Sequence, residues 1–493
     1  MKANENSYVI SGRKPERFFR FFEDICRIPR GSGNEKAISD YLVAFAKERG
    51  LEYYQDSENN VLIRIAATEG YETVAPIMLQ GHVDMVCEKN NDTVHDFMTD
   101  PITPYVDGKY LKARGTTLGA DNGVAVAAMM VVLDGELDAH PECECLFTTS
   151  EETGLNGAYA FDYSLIKSKR MINMDSECDR VVIVGCAGGI RSDITFRHQP
   201  TELPEGFAPL RVYVTGLMGG HSGENINHGR SNANKLVGTI LKAIAGETEL
   251  VVSSINGGSK ENAIPRECEA YIAVKDANVA ESVLARISKE IKASLGKDDV
   301  GFTASVEHVA AAQSYLSSAA SRAVVDFCSD VPNGVLRMSE HMEGFVEFSR
   351  NLGVITTVGN TIDFVLSSRS AIESQLDESV AELDEYTDKF NCVDGVNAAA
   401  RHYSRYPGWE YAENSALRDS FVRIHEAEYG VKPEVKSIHA GLECGIISSR
   451  IPGMDIIAIG PDMKDIHSPC ETLDLESCEK FFNILSLIIK EKC

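Results

Sequence analysis

Acidic residues and histidines recur directly after short apolar runs that are typical of β-strands. They are His82, Asp84, Asp121, Glu151, Glu152, Asp175 and His467. Because ligands bind at the carboxyl ends of strands in open α/β sheets, we expect these side chains to line one crevice. Nitrogen and oxygen donors without sulfur suit zinc, and also cobalt or manganese. The pattern therefore predicts a two-metal hydrolase.

The spacing of these residues suggests different roles for neighbours. His82 and Asp84 lie on the same side of a strand because side chains alternate with a period of two. Asp84 could therefore hold the second ring nitrogen of His82 while the first ligates a metal. The adjacent Glu151 and Glu152 repel each other unless a cation or a proton offsets their charge. Glu152 is the candidate ligand, and Glu151 is free to move a proton.

Each position also has a purely structural interpretation. Asp121 precedes an apolar helix and could be only its N-cap. The pair at 82 and 84 could be a polar strand end, and the pair at 151 and 152 a solvated turn. The charges favour the metal interpretation. Three carboxylates and a bridging hydroxide balance two divalent cations, and two such ions about 3.5–4 Å apart would polarise a carbonyl and deprotonate a shared water.

Composition excludes several classes of function. A chain of 493 residues is expected to form two or more domains. Its net charge of -26 argues against nucleic acid or an anionic membrane as a partner. The N-terminal residues lack the apolar core of a signal peptide, and the longest apolar run, residues 124–133, is too short to span a membrane. We therefore expect a cytoplasmic protein.

The thirteen cysteines form no CxxC pair and are expected to be reduced and mostly buried. A thiol nucleophile is the alternative. The candidates near the predicted crevice are Cys87, Cys178, Cys444 and Cys470. None comes with the histidine partner that such a nucleophile requires.

Hydrophobic periodicity predicts an α/β fold with an insertion. Short apolar strands alternate with helices up to residue 192 and again from residue 405, which predicts a mostly parallel, helix-covered sheet. Between them, strands alternate apolar and polar residues, as in an antiparallel sheet with one wet face. The order strand, helix, strand, strand, helix, strand occurs about twice there. We therefore predict a catalytic domain formed by residues 1–192 and 405–493, and an inserted α+β lid domain of residues 193–404.

Four strings carry a family resemblance. They are Lys89–Phe97, Arg114–Gly123, Gly185–Gly189 and His439–Gly445. Together they resemble the aminoacyl-histidine dipeptidase branch, also called Xaa-His or cytosolic non-specific dipeptidase, of the co-catalytic di-zinc aminopeptidase, carboxypeptidase and aminoacylase superfamily. The resemblance covers nearly the whole chain. It implies a di-zinc exopeptidase-like catalytic domain with a lid, and the hydrolysis of small dipeptides, both Xaa-His and others.

The resemblance also implies the site residues. The implied ligands of two Zn²⁺ ions are His82, Asp121, Glu152, Asp175 and His467, with Asp121 bridging and its following peptide bond cis. Glu151 is the implied general base, and Asp84 the residue behind His82.

In the lid, His221 is implied to hydrogen-bond the carbonyl oxygen of the scissile bond. Asn262 and Arg369 are implied to hold the substrate carboxylate, to which the planar arginine fork is suited. The loop at Gly441 is expected to line the pocket, and Glu443 is a candidate partner for the substrate amino group. Ordinary polar strand ends are the alternative for each lid residue.

The predicted reaction begins when Glu151 takes a proton from the water between the metals. The hydroxide attacks the carbonyl, which is held between one zinc and His221, and Glu151 returns the proton to the leaving amine. An N-acyl amino-acid amidohydrolase on the same scaffold is the first alternative, and a non-catalytic binding protein is the second. The sequence leaves the preferred dipeptide, the cellular metal and a homodimer open.

Overall fold

The computed structural model describes residues 8–492, which divide into two compact units. The first unit comprises the chain up to Gly185, Trp409–Ser437 and the chain from Leu442 onward. The second comprises Cys186–Gly408 and Ile438–Gly441. The predicted boundaries after residues 192 and 404 fall inside two strands of the second unit. The chain passes from one unit to the other after Gly185 and after Gly408.

The helices and strands follow in chain order. Up to residue 186 they are α1 (Glu16–Cys26), α2 (Lys36–Arg49), β1 (Glu52–Gln55), β2 (Val61–Ile65), β3 (Ile77–His82), β4 (Pro104–Asp107), β5 (Tyr110–Ala113), α3 (Ala120–Leu133), β6 (Cys143–Thr148), α4 (Asn156–Ala160), a 3₁₀ turn (Tyr163–Leu165), β7 (Arg170–Asn173) and β8 (Val181–Cys186).

The elements of the second unit are β9 (Gly188–His198), β10 (Ala208–Thr215), β11 (Gly220–His221), α5 (Ala233–Glu247), β12 (Leu250–Gly257), β13 (Ala263–Ile264), β14 (Cys268–Val274), α6 (Ala277–Ser294), a 3₁₀ turn (Lys297–Asp299), β15 (Thr303–His308), α7 (Ser318–Asp330), β16 (Gly334–Met338), β17 (Val346–Val358), β18 (Thr361–Ser370), α8 (Glu373–Asn391) and β19 (Val396–Tyr406). The chain closes with α9 (Ala416–Tyr429), β20 (Glu434–Ile438), α10 (Glu443–Arg450), β21 (Asp455–Ala458), β22 (Met463–Lys464), β23 (Thr472–Asp474) and α11 (Leu475–Ile489).

The main sheet of the first unit has the strand order β1-β2-β6-β3-β7-β21-β8-β20. Its four central strands, β6, β3, β7 and β21, are parallel. Strands β1 and β2 extend the sheet antiparallel on one side, and β8 is antiparallel to β21 on the other. The α/β prediction is confirmed, and the parallel pairing belongs to the centre of a mixed sheet.

Helix α3 packs closely on the central strand β3. Nearly all of its residues are buried, as expected for a helix that is apolar on all sides. At Gly81 of β3, an added Cβ would lie 2.4 Å from the Cβ of Ala125. Only glycine allows this approach, which brings the first turn of α3 against the carboxyl end of β3.

The second unit contains a nine-stranded antiparallel sheet with the order β15-β10-β14-β12-β17-β18-β9-β19, and β16 pairs with β17. The first α+β repeat is β10-α5-β12-β14-α6-β15. The second is α7-β17-β18-α8-β19, and its first strand is β9, which precedes the first repeat in the chain and pairs between β18 and β19. The predicted duplication is therefore present, with one repeat nested inside the other.

Apolar residues of the strands and of α5, α6, α7 and α8 form one continuous core in this unit. Within residues 8–492, no helix has both the length and the apolar character needed to cross a bilayer.

Candidate metal centre and substrate-binding residues

The carboxyl ends of the parallel strands gather the predicted metal ligands. His82 is the last residue of β3, Glu152 lies four residues beyond the end of β6, and Asp175 lies two residues beyond the end of β7. Asp121 is in the first turn of α3, and His467 is in the turn between β22 and β23. The structure therefore brings together residues that are up to 385 positions apart, from His82 to His467.

Asp121 faces both histidines at once. Its Oδ1 atom is 3.0 Å from Nε2 of His82, and its Oδ2 atom is 3.2 Å from Nε2 of His467. The peptide bond that follows, Asp121–Asn122, is cis, as predicted. One carboxylate oxygen thus points toward each histidine, which is the orientation of a bridging ligand.

Two three-residue groups share Asp121. One consists of His82, Asp121 and Asp175, and the other of Asp121, Glu152 and His467. Within each group the potential ligand atoms lie within 4.8 Å of one another. Asp175 Oδ1 is 3.5 Å from His82 Nε2, and Glu152 Oε1 is 3.1 Å from His467 Nε2. The donors are only nitrogen and oxygen, so the set fits two divalent cations of the zinc, cobalt or manganese type.

The electrostatics of this cluster favour positive charge. Hydrogen bonds that His467 donates to the carboxylates of Asp121 and Glu152 raise the pKa of His467 from 6.5 to about 10. Burial opposes protonation of His82, but Asp175 and Asp121 still raise the pKa of His82 well above 6.5. Carboxylates packed this closely repel each other unless a cation or a proton offsets their charge. Two cations would do so.

Asp84 is fully buried behind His82, and it binds backbone amides as well as the His82 ring. Its Oδ1 atom is 3.3 Å from His82 Nδ1 and accepts the amide hydrogen of Glu151 at 3.1 Å. Its Oδ2 atom accepts from the hydroxyl of Ser32 at 2.8 Å and from the amide of Glu152 at 3.3 Å. A single carboxylate thus orients His82 and the turn that carries both glutamates.

Glu151 lies beside the same cluster, with a carboxylate oxygen within 4.8 Å of potential ligand atoms of His82 and Glu152. Burial, reinforced by the negative charges of Asp175 and Glu443, raises the pKa of Glu151 well above 4.5. A carboxylate with a raised pKa is a better proton acceptor than an exposed one. This property suits the predicted base.

Glu443 does not lie where the sequence analysis suggested. Its side chain is fully buried in the first unit, where Oε2 accepts from Gln80 at 2.5 Å and from Thr148 at 2.7 Å. Burial raises the pKa of Glu443 to about 7. The side chain is enclosed beside β3 and β6 and does not line an open pocket, and its Oε1 atom has no hydrogen-bond partner among residues 8–492.

Two buried residues near the cluster escaped the sequence analysis. The carboxylate of Glu471 accepts hydrogen bonds from the backbone of residues 118–121, and the guanidinium of Arg30 donates to backbone carbonyls of residues 83, 84 and 119. Glu471 follows His467 by four residues, and this proximity is the only local signal that the sequence offers for it.

His221 and Asn262 are neighbours within the second unit. His221 pairs with Ala263 across β11 and β13, and the carbonyl of Asn262 accepts the amide of Ser222 at 2.8 Å. The amide of Glu224 donates to Nδ1 of His221 at 3.2 Å. The neutral ring must therefore carry its hydrogen on Nε2, which is left as a donor. Burial and the charge of Arg369 lower the pKa of His221, which favours this neutral form.

Arg369 and Gly441 meet at Tyr406 in the same unit. Arg369 Nη1 donates to the Tyr406 hydroxyl at 2.8 Å, while its buried Nε has no hydrogen-bond partner among residues 8–492. A Cβ added to Gly441 would lie 3.0 Å from the Tyr406 ring. A phenol holds the arginine, and no carboxylate among residues 8–492 forms an ion pair with it. Tyr406 is a further residue that the sequence analysis missed.

Two of the four candidate thiols, Cys87 and Cys178, do not have the lowered pKa that a thiol nucleophile requires. No disulfide joins any cysteines of residues 8–492. Burial raises the pKa of Cys87 and of Cys178, so neither is an activated thiolate.

Comparison with known proteins identifies the chain as similar to peptidases. The model of the peptidase family M20/M25/M40 matches residues 78–491. The chain is 37% identical to the cytosol non-specific dipeptidase of Escherichia coli (strain K12) over 484 residues, which cover 98% of this chain and 99% of that protein.

The fold is similar to that of solved structures. The aminoacylhistidine dipeptidase from Vibrio alginolyticus superposes with a TM-score of 0.92 at 37% identity, over 97% of each chain. The aminopeptidase PepT from Bacillus cereus ATCC 10987 has a TM-score of 0.57 at 16% identity, over 97% of this chain and 99% of that one. The latter likeness concerns the fold alone.

Proposed function

The chain belongs to peptidase family M20/M25/M40 and is a peptide hydrolase, and we propose that it hydrolyses dipeptides with two divalent metal ions and a glutamate base. One observation carries the proposal. The two oxygens of Asp121 face Nε2 of two different histidines, at 3.0 and 3.2 Å. A structural N-cap would direct its carboxylate to backbone amides, whereas here it is shared between two groups of potential ligands.

His82, Asp121 and Asp175 would hold one cation, and Asp121, Glu152 and His467 the other. Zn²⁺ is the first choice for this donor set, and Co²⁺ or Mn²⁺ fit the same atoms. When bound, two such ions polarise the substrate carbonyl and lower the pKa of the attacking water. Asp84 fixes the ring of His82 with Nε2 directed toward Asp121, as second-layer carboxylates do at histidine ligands.

Glu151 moves the proton. Its buried carboxylate takes a proton from the attacking water and later gives it to the nitrogen of the leaving amine. His221 donates from Nε2 to the carbonyl oxygen of the scissile bond, because Nδ1 is occupied by the amide of Glu224. Such a donor is most valuable when negative charge develops on that oxygen.

The positive charge of Arg369 in the second unit would recognise the carboxylate of the substrate. The guanidinium of Arg369, oriented by Tyr406, and the exposed side chain of Asn262 would receive the carboxylate of a short peptide. Gly441 leaves room beside Tyr406. The two relatives at 37% identity are called a cytosol non-specific dipeptidase and an aminoacylhistidine dipeptidase. We extend both descriptions to this chain, with Xaa-His and other dipeptides as substrates and the cytoplasm as its location.

A substrate panel tests this function. Zinc-loaded protein is given free dipeptides, including Xaa-His pairs, and the same compounds N-acetylated, at equal concentrations, and the released amino acids are measured. We expect the free dipeptides to be cleaved faster. Preference for the N-acetylated series or for N-acyl amino acids would assign the chain to the amidohydrolases, and no hydrolysis in either series would favour a binding protein.

A further inference from the structure

The carboxylate of Glu471 holds the backbone immediately before the shared residue Asp121. Oε2 accepts from the amides of Leu118 at 2.6 Å and Gly119 at 3.0 Å, and Oε1 accepts from Ala120 at 2.8 Å and Asp121 at 3.4 Å. The first amides of a helix have no partner within the helix. Here a buried side chain, 3% exposed, supplies acceptors for four successive amides.

Arg30 binds the carbonyl groups of the same loop, whereas Glu471 binds its amides. Its guanidinium donates to the carbonyl of Gly119, to that of Val83 at 2.9 Å and to that of Asp84 at 3.2 Å. The loop is thereby tied to the residues that follow His82. The contact is close, because a Cβ added to Gly119 would lie 2.5 Å from Nη2 of Arg30. Gly119 also has a φ of 70°, which disfavours any larger residue.

Glu471 belongs to the same short turn as His467. The hydroxyl of Ser468 donates to the carbonyl of Asp465 at 2.7 Å, and the amide of Glu471 donates to the carbonyl of Ser468 at 3.1 Å. A movement of this turn therefore moves His467 and Glu471 together. Through Glu471 the turn is also fixed to Asp121, although the two segments are 350 residues apart.

We propose that Glu471 is a positioning residue that fixes Asp121 relative to both histidines and so sets the separation of the two cation positions. This inference rests on the two-metal function proposed above. Asp121 is linked to the His82 segment through Arg30 and to the His467 turn through Glu471. If Glu471 served only to cap α3, one or two accepted amides would suffice. Instead, the four amides extend to that of Asp121 itself.

Glu471→Gln tests the role with little change of shape. The variant amide group has one acceptor oxygen, and its NH₂ group faces backbone donors. Residues that orient metal ligands typically change metal affinity or activity by about 10–100-fold when they are replaced. We expect metal-depleted Glu471→Gln to bind Co²⁺ about 10–100-fold more weakly than wild type, with an altered cobalt absorption spectrum. We also expect kcat to fall while KM changes little.

Asp474→Asn is the matched control. Asp474 also accepts two amides at a helix N-terminus, those of Glu476 and Ser477 in α11, but it belongs to neither group around Asp121. Its replacement should lower the thermal midpoint and leave cobalt affinity, the cobalt spectrum and kcat as in wild type. The comparison separates the loss of a helix-capping carboxylate from the loss of a residue that positions Asp121.

Cobalt binding by the wild-type chain distinguishes a failure of the two-metal function from a failure of the positioning role of Glu471. A wild-type chain that fails to bind two Co²⁺ ions would contradict the proposed function. A wild type that binds two ions, with Glu471→Gln equal to it in affinity and spectrum, would instead overturn the positioning role. If Glu471→Gln does not fold, Glu471→Asp keeps the charge but withdraws it by one methylene. Weaker cobalt binding in that variant supports the proposal, and wild-type binding overturns it.

Discussion

Replacing Asp84 by asparagine should weaken the metal centre without touching a metal ligand. Oδ1 of Asp84 faces Nδ1 of His82 and the amide of Glu151, and Oδ2 faces the hydroxyl of Ser32 and the amide of Glu152. All four are donors in the arrangement that leaves Nε2 of His82 free. Asparagine offers one acceptor oxygen and one NH₂ group. Whichever way the amide is turned, its NH₂ group therefore faces two hydrogen-bond donors and cannot accept from them.

The less costly orientation can be chosen from these contacts. A serine hydroxyl can rotate to accept a hydrogen bond, whereas a backbone amide cannot. The NH₂ group will therefore face Ser32 and Glu152, and the partly buried amide of Glu152 loses its acceptor. An unsatisfied buried donor costs about 1–3 kcal/mol. Metal binding holds Glu152 in place, so we expect this cost in the metal-bound state. Because about 1.36 kcal/mol corresponds to a factor of ten, zinc affinity or kcat should fall by up to roughly 5- to 150-fold.

The assay is zinc affinity, measured by competition with a chelator, together with kcat on a free dipeptide. Ser32→Ala is the matched control, since it removes one donor to Oδ2 and leaves the amide of Glu152 bonded. We expect a clearly smaller loss in this control. Wild-type zinc affinity and kcat in Asp84→Asn, or an equal loss in Ser32→Ala, would refute the reasoning.

Three further predictions concern the base, the carbonyl donor and a buried histidine. Glu151→Gln should keep two metal ions and lose roughly 10²–10⁴-fold in kcat, whereas Glu152→Gln should lose metal; equal metal content would contradict this division. His221→Ala should lower kcat by about 10²–10³-fold, and unchanged kcat with raised KM would leave it no role at the oxyanion. Burial, with Arg369 nearby, lowers the pKa of His439 from 6.5 to about 3. The unfolded chain therefore binds more protons between these values, and stability should fall as the pH drops below 6.5, by up to about 1.36 kcal/mol per pH unit. Urea unfolding at several pH values should show that the unfolding free energy of His439→Gln depends less on pH than that of the wild type. An unchanged pH dependence would contradict the low pKa of His439.

The residues at the strand ends were predictable because strand geometry is local. A parallel strand ends where its apolar run ends, and neighbouring parallel strands end at one edge of the sheet. His82 and Asp175 could therefore be placed together from the sequence alone. The four helices α5 to α8 were implied by the repeated strand and helix pattern for the same reason.

Contacts between distant segments were not predictable in this way. Strand β9 completes the second α+β repeat from a position before the first repeat, and periodicity within a segment carries no information about such pairing. The hydrogen bonds of Glu471 to residues 118–121 likewise join segments about 350 positions apart. Glu443 lies in a string that predicted a pocket loop, yet its side chain points into the first unit, toward Gln80 and Thr148.

The requirement for two cations is the central claim, and a reconstitution titration tests it most directly. The protein is freed of metal with a chelator, zinc is added in steps, and bound zinc and dipeptide hydrolysis are measured at each step. We expect no hydrolysis by the metal-free chain and maximal hydrolysis at two zinc ions per chain. Hydrolysis by the metal-free chain, or a maximum at one ion that a second does not raise, would contradict this requirement.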